Sequence, residues 1–242
     1  MLDFKSGTVR PGECLTGGWE LIKDQLWLFV GMTLVALLIM QVVPIILMGP
    51  MMCGLHLCFL AKMRGEKIEF GYLFKGFDYF VPSLIASLIQ VAPIVVLSLL
   101  YTIPLMIFIF STLPQGGRHG APPDFAAFNV IGLGVIWGGG LVLAVVAMAI
   151  SALFTFTFPL IVEHKLAPVD AIKTSVKAAW GNFGGLLLLL LLSAVVGMVG
   201  MLLCFVGYFL ALPVIFAAQA VAYRQVFPAS YAPQQWASPA DR

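Results

Sequence analysis

Charge is what this sequence has least of. Asp, Glu, Lys and Arg make up 10% of its 242 residues, against about 25% in soluble domains. Hydrophobic residues make up 61%, and the mean hydropathy is +1.04. A water-soluble fold of this length cannot hide that much apolar surface, so lipid must cover part of it. The net charge is only +2, and no basic stripe is present to follow a phosphate backbone, which excludes nucleic acid as a partner. Cysteine is scarce too. Cys14, Cys53, Cys58 and Cys204 lie in or beside apolar segments and read as packing residues, not as a disulfide framework. Of the three histidines, His119 falls in a turn-rich loop and His164 at the end of an apolar block, and neither they nor His56 has an evident Ser or Cys partner. With no close acidic pair either, the nucleophile-and-base sets of enzymes are missing. The chain therefore reads as non-enzymatic, with no cofactor. No cleavable leader is expected, because charges from Asp3 to Asp24 occupy the first 26 residues.

What is there is apolar sequence in four long blocks. A transmembrane helix needs about 20 mainly apolar residues. Leu26 to Ala61 is broken near Pro44 and again at Gly49–Pro50, which predicts a hairpin of spans at about 25–43 and 45–63. Tyr79 to Leu113 and Phe125 to Val162 predict single long helices, at about 79–113 and 125–162. Pro82, Pro93 and Pro104 recur every 11 residues in the first of these, close to three helical turns, so they fall near one face. Helices of that length reach roughly 50 Å, beyond a hydrocarbon core of about 30 Å. They are expected to project past the bilayer, capped by the turn-rich stretch Pro114 to Asp124. Phe183 to Val221 predicts two more spans, at about 183–203 and 206–226, broken near Cys204 to Gly207. Residues 1–227 read as one membrane domain and 228–242 as a disordered tail.

Charge placement supports this reading independently. Of the 13 Lys and Arg residues, all but Arg118 fall in the N-terminal segment, the second and fourth connections, or the tail. Cytoplasmic loops collect such residues, so six spans with both termini in the cytoplasm are expected.

Each hairpin is preceded by an amphipathic stretch. Leu15, Ile22, Leu26 and Phe29 share one helical face, as do Val169, Ile172, Val176, Trp180 and Phe183. The two stretches align at a constant offset of 154, with Lys23 on Lys177, Leu26 on Trp180, Phe29 on Phe183 and Gly31 on Gly185. Phe70, Leu73, Phe74, Phe77 and Phe80, interspersed with Lys75 and Asp78, form a stretch of the same character. The fold class that follows is an all-α, polytopic helical bundle. Its six spans form three hairpins, each introduced by a cytoplasmic interfacial helix. Trp19, Lys23, Lys75, Lys173, Lys177 and Trp180 are then the expected lipid contacts.

Three segments carry a resemblance to a known family: Gly18-Trp19-Glu20-Leu21-Ile22-Lys23; Gly49-Pro50-Met51-Met52 with Lys62 to Ile68 and Leu73 to Phe77; and Phe158 to Glu163 with Pro168 to Ser175. Together they resemble bacterial inner-membrane proteins of the DUF975 and YciC-like group. They also resemble the membrane domain attached to some glycerophosphodiester phosphodiesterases, whose catalytic barrel this chain lacks. The resemblance implies a bacterial inner membrane and little else, and the phosphodiesterase activity is not carried over.

The remaining polar positions are few. Met48, Met51, Met52, Cys53, His56, Cys58 and Met63 cluster in the second span. Soft ligands of this kind suit Cu(I), but Cys58 lies about 140° round the helix from Cys53. Cys53 and His56 are thus weak metal candidates, and a hydrogen bond inside the bundle is the more natural place for His56. Gln41, Gln90, Asn129 and Gln219 either bond between helices or line a pore. No Asp, Glu, Lys or Arg lies in mid-span, where ion-coupled carriers need one; Glu163 and His164 read as interfacial. Gly134 with Gly138, Ser193 with Gly197, and Gly200 with Cys204 have the spacing of close helix packing, within the chain or between copies. The expected partners are membrane lipids and either further copies of the chain or another membrane protein. The expected function is a membrane-organising or partner-binding module. A small-solute channel and a lipid enzyme are the alternatives.

Overall fold

A computed structural model describes residues 3–112, 125–202 and 206–228, with side chains given for these except 111–112, 125–133 and 135. The expected loop at 114–124 (with Arg118 and His119), Cys204 and the tail 229–242 lie outside the described residues, as does the side chain of Asn129. The chain is an all-α polytopic membrane bundle. Among the described residues, six stretches are long and apolar enough to cross a membrane: Pro11–Val42, Pro44–Met63, Phe70–Phe110, Ile136–His164, Phe183–Leu202 and Val206–Val226.

Helix α1 (Pro11–Ile22) is joined through a 3₁₀ turn, Lys23–Gln25, to α2 (Leu26–Val42) and α3 (Pro44–Met63). A 3₁₀ segment, Phe70–Tyr79, leads into α4 (Phe80–Thr112). Then come α5 (Phe125–Phe154), α6 (Thr157–His164), α7 (Pro168–Trp180), α8 (Phe183–Leu202) and α9 (Val206–Val226). Pro11, Pro44 and Pro168 each stand in the first turn of their helix. Their preset φ suits that position and their missing N–H costs nothing there. Pro44 therefore breaks the first block, as expected. Gly49–Pro50 does not, since α3 runs straight through it. Gly49 instead permits a close approach, for a Cβ there would lie 2.5 Å from the Ser83 carbonyl oxygen.

The fourth span departs from expectation. Its helix is interrupted at Thr155–Phe156 and resumes as α6. Pro159 explains the break: it has no N–H for the Thr155 carbonyl, and its ring crowds that carbonyl. Ser175 of α7 takes up two backbone groups at the break. Its hydroxyl donates to the Leu153 carbonyl at 2.8 Å and accepts from the Phe156 N–H at 3.2 Å.

The chain forms two compact units, Met1–Ile89 with Ser151–Arg242, and Gln90–Ile150. In the first, α9 packs against α1, α2, α3 and α8, while α3 packs against α2, α6 and the 3₁₀ segment. Phe29 of α2 stacks on Phe59 of α3 with ring centroids 5.2 Å apart. Gly54 and Gly76 let α3 and the 3₁₀ segment meet backbone to backbone: a Cβ on Gly54 would strike the Leu73 carbonyl, and one on Gly76 the Pro50 carbonyl. In the second unit, the Tyr101 hydroxyl of α4 donates to the Ile136 carbonyl of α5 at 2.8 Å. Leu100, Trp137 and Leu141 are exposed there.

Candidate functional site

The three segments that introduce hairpins are not alike. In α1, Cys14, Gly18, Leu21 and Ile22 are buried, and the helix packs along α9. The approach is close, since a Cβ on Gly18 would lie 2.7 Å from the Ala218 nitrogen. The face that the sequence assigns to lipid therefore meets protein: Ile22 and Phe29 are fully buried. Only the opposite side, with Trp19 and the Glu20–Lys23 ion pair, is open, followed by Trp27 at the head of α2.

The middle segment is 3₁₀ where an α-helical period is expected. Three residues per turn put Leu73 and Gly76 together on α3. Phe70, Phe74 and Phe77 stay exposed, with neighbouring centroids 6.4 and 6.5 Å apart. The Lys75 ammonium lies 4.0 Å from the Tyr72 ring centroid. Beside it, Arg64 pairs with Glu66, and the Tyr72 hydroxyl donates to the same carboxylate at 3.2 Å. The Arg64 hydrogen bond holds the Glu66 carboxyl below its usual range.

Helix α7 buries its small residues, Ala171, Ser175, Ala178 and Ala179, and packs against α6. Its outer face carries an open groove of about 450 Å³ lined by Ile172, Lys173, Val176, Lys177 and Trp180. Trp180 is 72% exposed, and its ring lies 5.8 Å from that of Phe183.

Two polar constructions brace this unit, and neither was read from the sequence. Arg224, in the last turn of α9 and not in the tail, is 2% exposed and grips Glu163 of α6 with both terminal nitrogens, at 2.9 and 2.6 Å. The Tyr223 hydroxyl donates to Glu163 at 2.6 Å, and the His164 ring nitrogen stands 3.9 Å from it. Glu163 is thus a part-buried partner of Arg224 where an interfacial residue is expected. Phe156 and Phe227 close over Tyr223 with centroids at 6.1 and 5.2 Å. The second construction is an N-terminal strap. The Lys5 N–H donates to the Val226 carbonyl at 2.9 Å and the Gly7 N–H to the Gly181 carbonyl at 3.1 Å. Thr8 and Arg10 donate through their N–H groups to the side-chain oxygens of Asn182 (2.9 Å) and Gln225 (3.0 Å). The signal that could have found the clamp is the polar run Tyr223-Arg224-Gln225 closing an apolar helix, with one carboxylate, Glu163, closing another.

The other predicted positions are dispersed. Cys53 is fully buried in α3. His56 is buried, but its Nδ1 has no hydrogen-bond partner among the described residues, contrary to expectation. Among those residues, no group of three His, Cys, Asp or Glu is placed to hold a metal. Gln41 is exposed at the end of α2, and Gln219 is half-buried on α9. Gln90 does not make the expected interhelical bond through its Oε1, which is buried and without a partner among the described residues. A Cβ on Gly197 would lie 3.6 Å from the Tyr208 ring and one on Gly200 2.8 Å from the Gly207 backbone, so both serve the α8–α9 hairpin. Gly134 and Gly138 have open space where a Cβ would stand and make no close helix approach among the described residues.

No protein-family model matches the chain, and no solved structure matches it. It is similar to uncharacterized proteins of Mycobacterium bovis and of two strains of Mycobacterium tuberculosis, CDC 1551 and H37Rv. Each is 30% identical over 88 residues, which is 36% of this chain and 27% of the relative. The match therefore spans about a quarter of the relatives' own length.

Proposed function

We propose that this chain is a non-enzymatic module of a bacterial inner membrane, with residues 3 and 228 on the cytoplasmic side. It organises lipid, or a partner membrane protein, through the segments that introduce its spans. One observation carries the reading. At each of the three entries to a hairpin, exposed aromatic rings sit beside lysine: Trp19 and Trp27 with Lys23, Phe70, Phe74 and Phe77 with Lys75, and Trp180 with Lys173 and Lys177. Aromatic rings and lysines favour the headgroup level, where an apolar body and a polar tip are both satisfied. The Lys and Arg distribution supports the orientation, and the resemblance to the DUF975 and YciC-like group agrees with the location.

Depth-dependent quenching tests this. Nitroxide carried near the headgroup should quench Trp180, and Trp introduced as Phe74→Trp, more strongly than nitroxide near the acyl terminus. Equal, weak quenching from both depths would place these segments in water and sink the reading. An alkaline phosphatase fused after Gly117 should be active; a cytoplasmic fusion there would overturn the orientation.

The buried Gln90 oxygen, without a partner among the described residues, favours a second reading, a small-solute facilitator. Unchanged uptake by proteoliposomes carrying Gln90→Leu or Gln219→Leu would count against it.

A further inference from the structure

We propose that the outer face of α7 is a binding site for one anionic glycerophospholipid, its phosphate between Lys173 and Lys177 and its first acyl carbons against Ile172, Val176 and Trp180. The inference rests on the membrane-surface reading of α7 and names what that surface selects.

At about 100° per residue, Ile172, Val176 and Trp180 fall within roughly 80° of one another around the helix, and Lys173 and Lys177 form the adjoining edge. The groove between them has room for more than an ion, at about 450 Å³. The opposite face is spent on protein packing through Ala171, Ser175, Ala178 and Ala179. No other part of the chain among the described residues covers the groove.

Charge identifies the occupant. Five cations of the first unit are matched by carboxylates: Arg10 by Glu13, Lys23 by Glu20, Lys62 by Asp24, Arg64 by Glu66 and Arg224 by Glu163. Lys67, Lys75 and Lys165 form no such pair among the described residues, and none of them lines the groove. Lys173 and Lys177 have no carboxylate partner among the described residues, and they stand one turn apart on the rim of an apolar groove. The one further contact is Lys177 with the Phe4 ring, 6.0 Å from its centroid, which leaves the ammonium's charge uncompensated. Asp170, one turn before Lys173, is the nearby acidic residue in sequence and makes no ion pair with either lysine. Two unmatched ammonium groups beside apolar side chains suit a ligand with a net negative head and a hydrocarbon body. A free phosphate would leave the apolar half empty, and a zwitterionic head would bring its own cation to the lysines.

The test uses the full chain, purified in detergent micelles, with phosphatidylglycerol and phosphatidylcholine titrated in and retained lipid counted by native mass spectrometry. One phosphatidylglycerol per chain should be held in preference to phosphatidylcholine. The Lys173→Gln/Lys177→Gln double variant should bind it roughly 25-fold more weakly, about the effect of two lysines at a lipid surface. Lys67→Gln/Lys165→Gln removes the same charge elsewhere and should bind like the parent. Trp180→Ala should weaken phosphatidylglycerol without altering the response to inorganic phosphate. Equal retention in the first double variant and the parent would overturn the proposal. So would displacement of the lipid by inorganic phosphate at equal concentration, which would make this an ion site. So would a dimer joined through α7 that phosphatidylglycerol cannot disperse. Lysine-dependent retention alongside failed headgroup quenching of Trp180 would remove the membrane-surface reading and leave the lipid site standing. Quenching without the preference would do the reverse.

Discussion

Helix α1 turns Gly18, Leu21 and Ile22 onto α9 and leaves Trp19 outside. Helix α7 aligns with it at an offset of 154 and has Ile172, Ser175 and Val176 at those positions. Of the three, only Ser175 is buried. The apolar pattern is shared, yet one helix buries its stripe and the other displays it. Side-chain size makes the difference. Gly18 lets α1 press its backbone on Ala218, whereas Ile172 forbids that approach, and α7 packs instead through a separate strip of Ala and Ser. Where every neighbour is apolar, the smoothest face, not the most hydrophobic one, wins the protein contact. The corner that follows also differs. The turn at Lys23–Gln25 aligns with 177–179, about one helical turn before the corner that α7 makes at Gly181–Asn182.

The contrast can be broken from either side. The largest effect is expected at the anchorage of α7. It packs on α6, whose Glu163 grips α9, so Glu163→Gln should leave Arg224 buried without its counter-charge and cost about 3–5 kcal/mol. Denaturation in mixed micelles would measure it, and a loss near zero would show that the clamp does not hold α6. Next is Gly18→Ile, which gives α1 the residue that α7 has there. It should overpack the α1–α9 contact by about 2–3 kcal/mol, while the reciprocal Ile172→Ala should change the midpoint little. If both are silent, size does not select the face. Ser175→Ala, which strips the groups at the α5–α6 break of their partner, should cost about 1–2 kcal/mol, visible as faster amide exchange at Phe156. Trp19→Ala and Trp180→Ala should each shift unfolding by less than about 0.5 kcal/mol, yet only the second should impair phosphatidylglycerol retention. The smallest effect concerns the loop that leads into the middle introducing segment. Because the folded Glu66 carboxyl is held below its usual range, its contribution is present above the unfolded value and is lost as pH falls through the folded one. Glu66→Gln should flatten the acid limb of the stability curve slightly.

Much of the frame was legible in residues alone. Spans expected at about 25–43 and 45–63 are α2, Leu26–Val42, and α3, Pro44–Met63. Proline placement and apolar length act locally, so they can be read locally. The interruption at Thr155 was legible in principle from Pro159 but hidden inside an unbroken apolar run. What could not be read depends on residues far apart in the chain. The Glu163–Arg224 clamp joins residues 61 apart, and each looks like an ordinary end-of-helix charge until α6 and α9 meet. Likewise, hydropathy cannot say which side of α1 is covered, because both the lipid and α9 are apolar.

The strap carries a consequence for how the molecule is made. The Thr8 hydroxyl donates to the carbonyl of Gln225, 217 residues later. At a synthesis rate of about 5–20 residues per second, the early segment waits roughly 10–40 s for its partner to be translated. Throughout that interval its hydrogen-bonding groups must be satisfied by water or by the insertion machinery, and closure of the first unit is among the final events. A bulky fusion ahead of residue 3 therefore threatens completion of the fold more than entry of the early spans into the bilayer. A stalled nascent chain ending before Val226 should expose Thr8 to proteolysis that the finished protein resists.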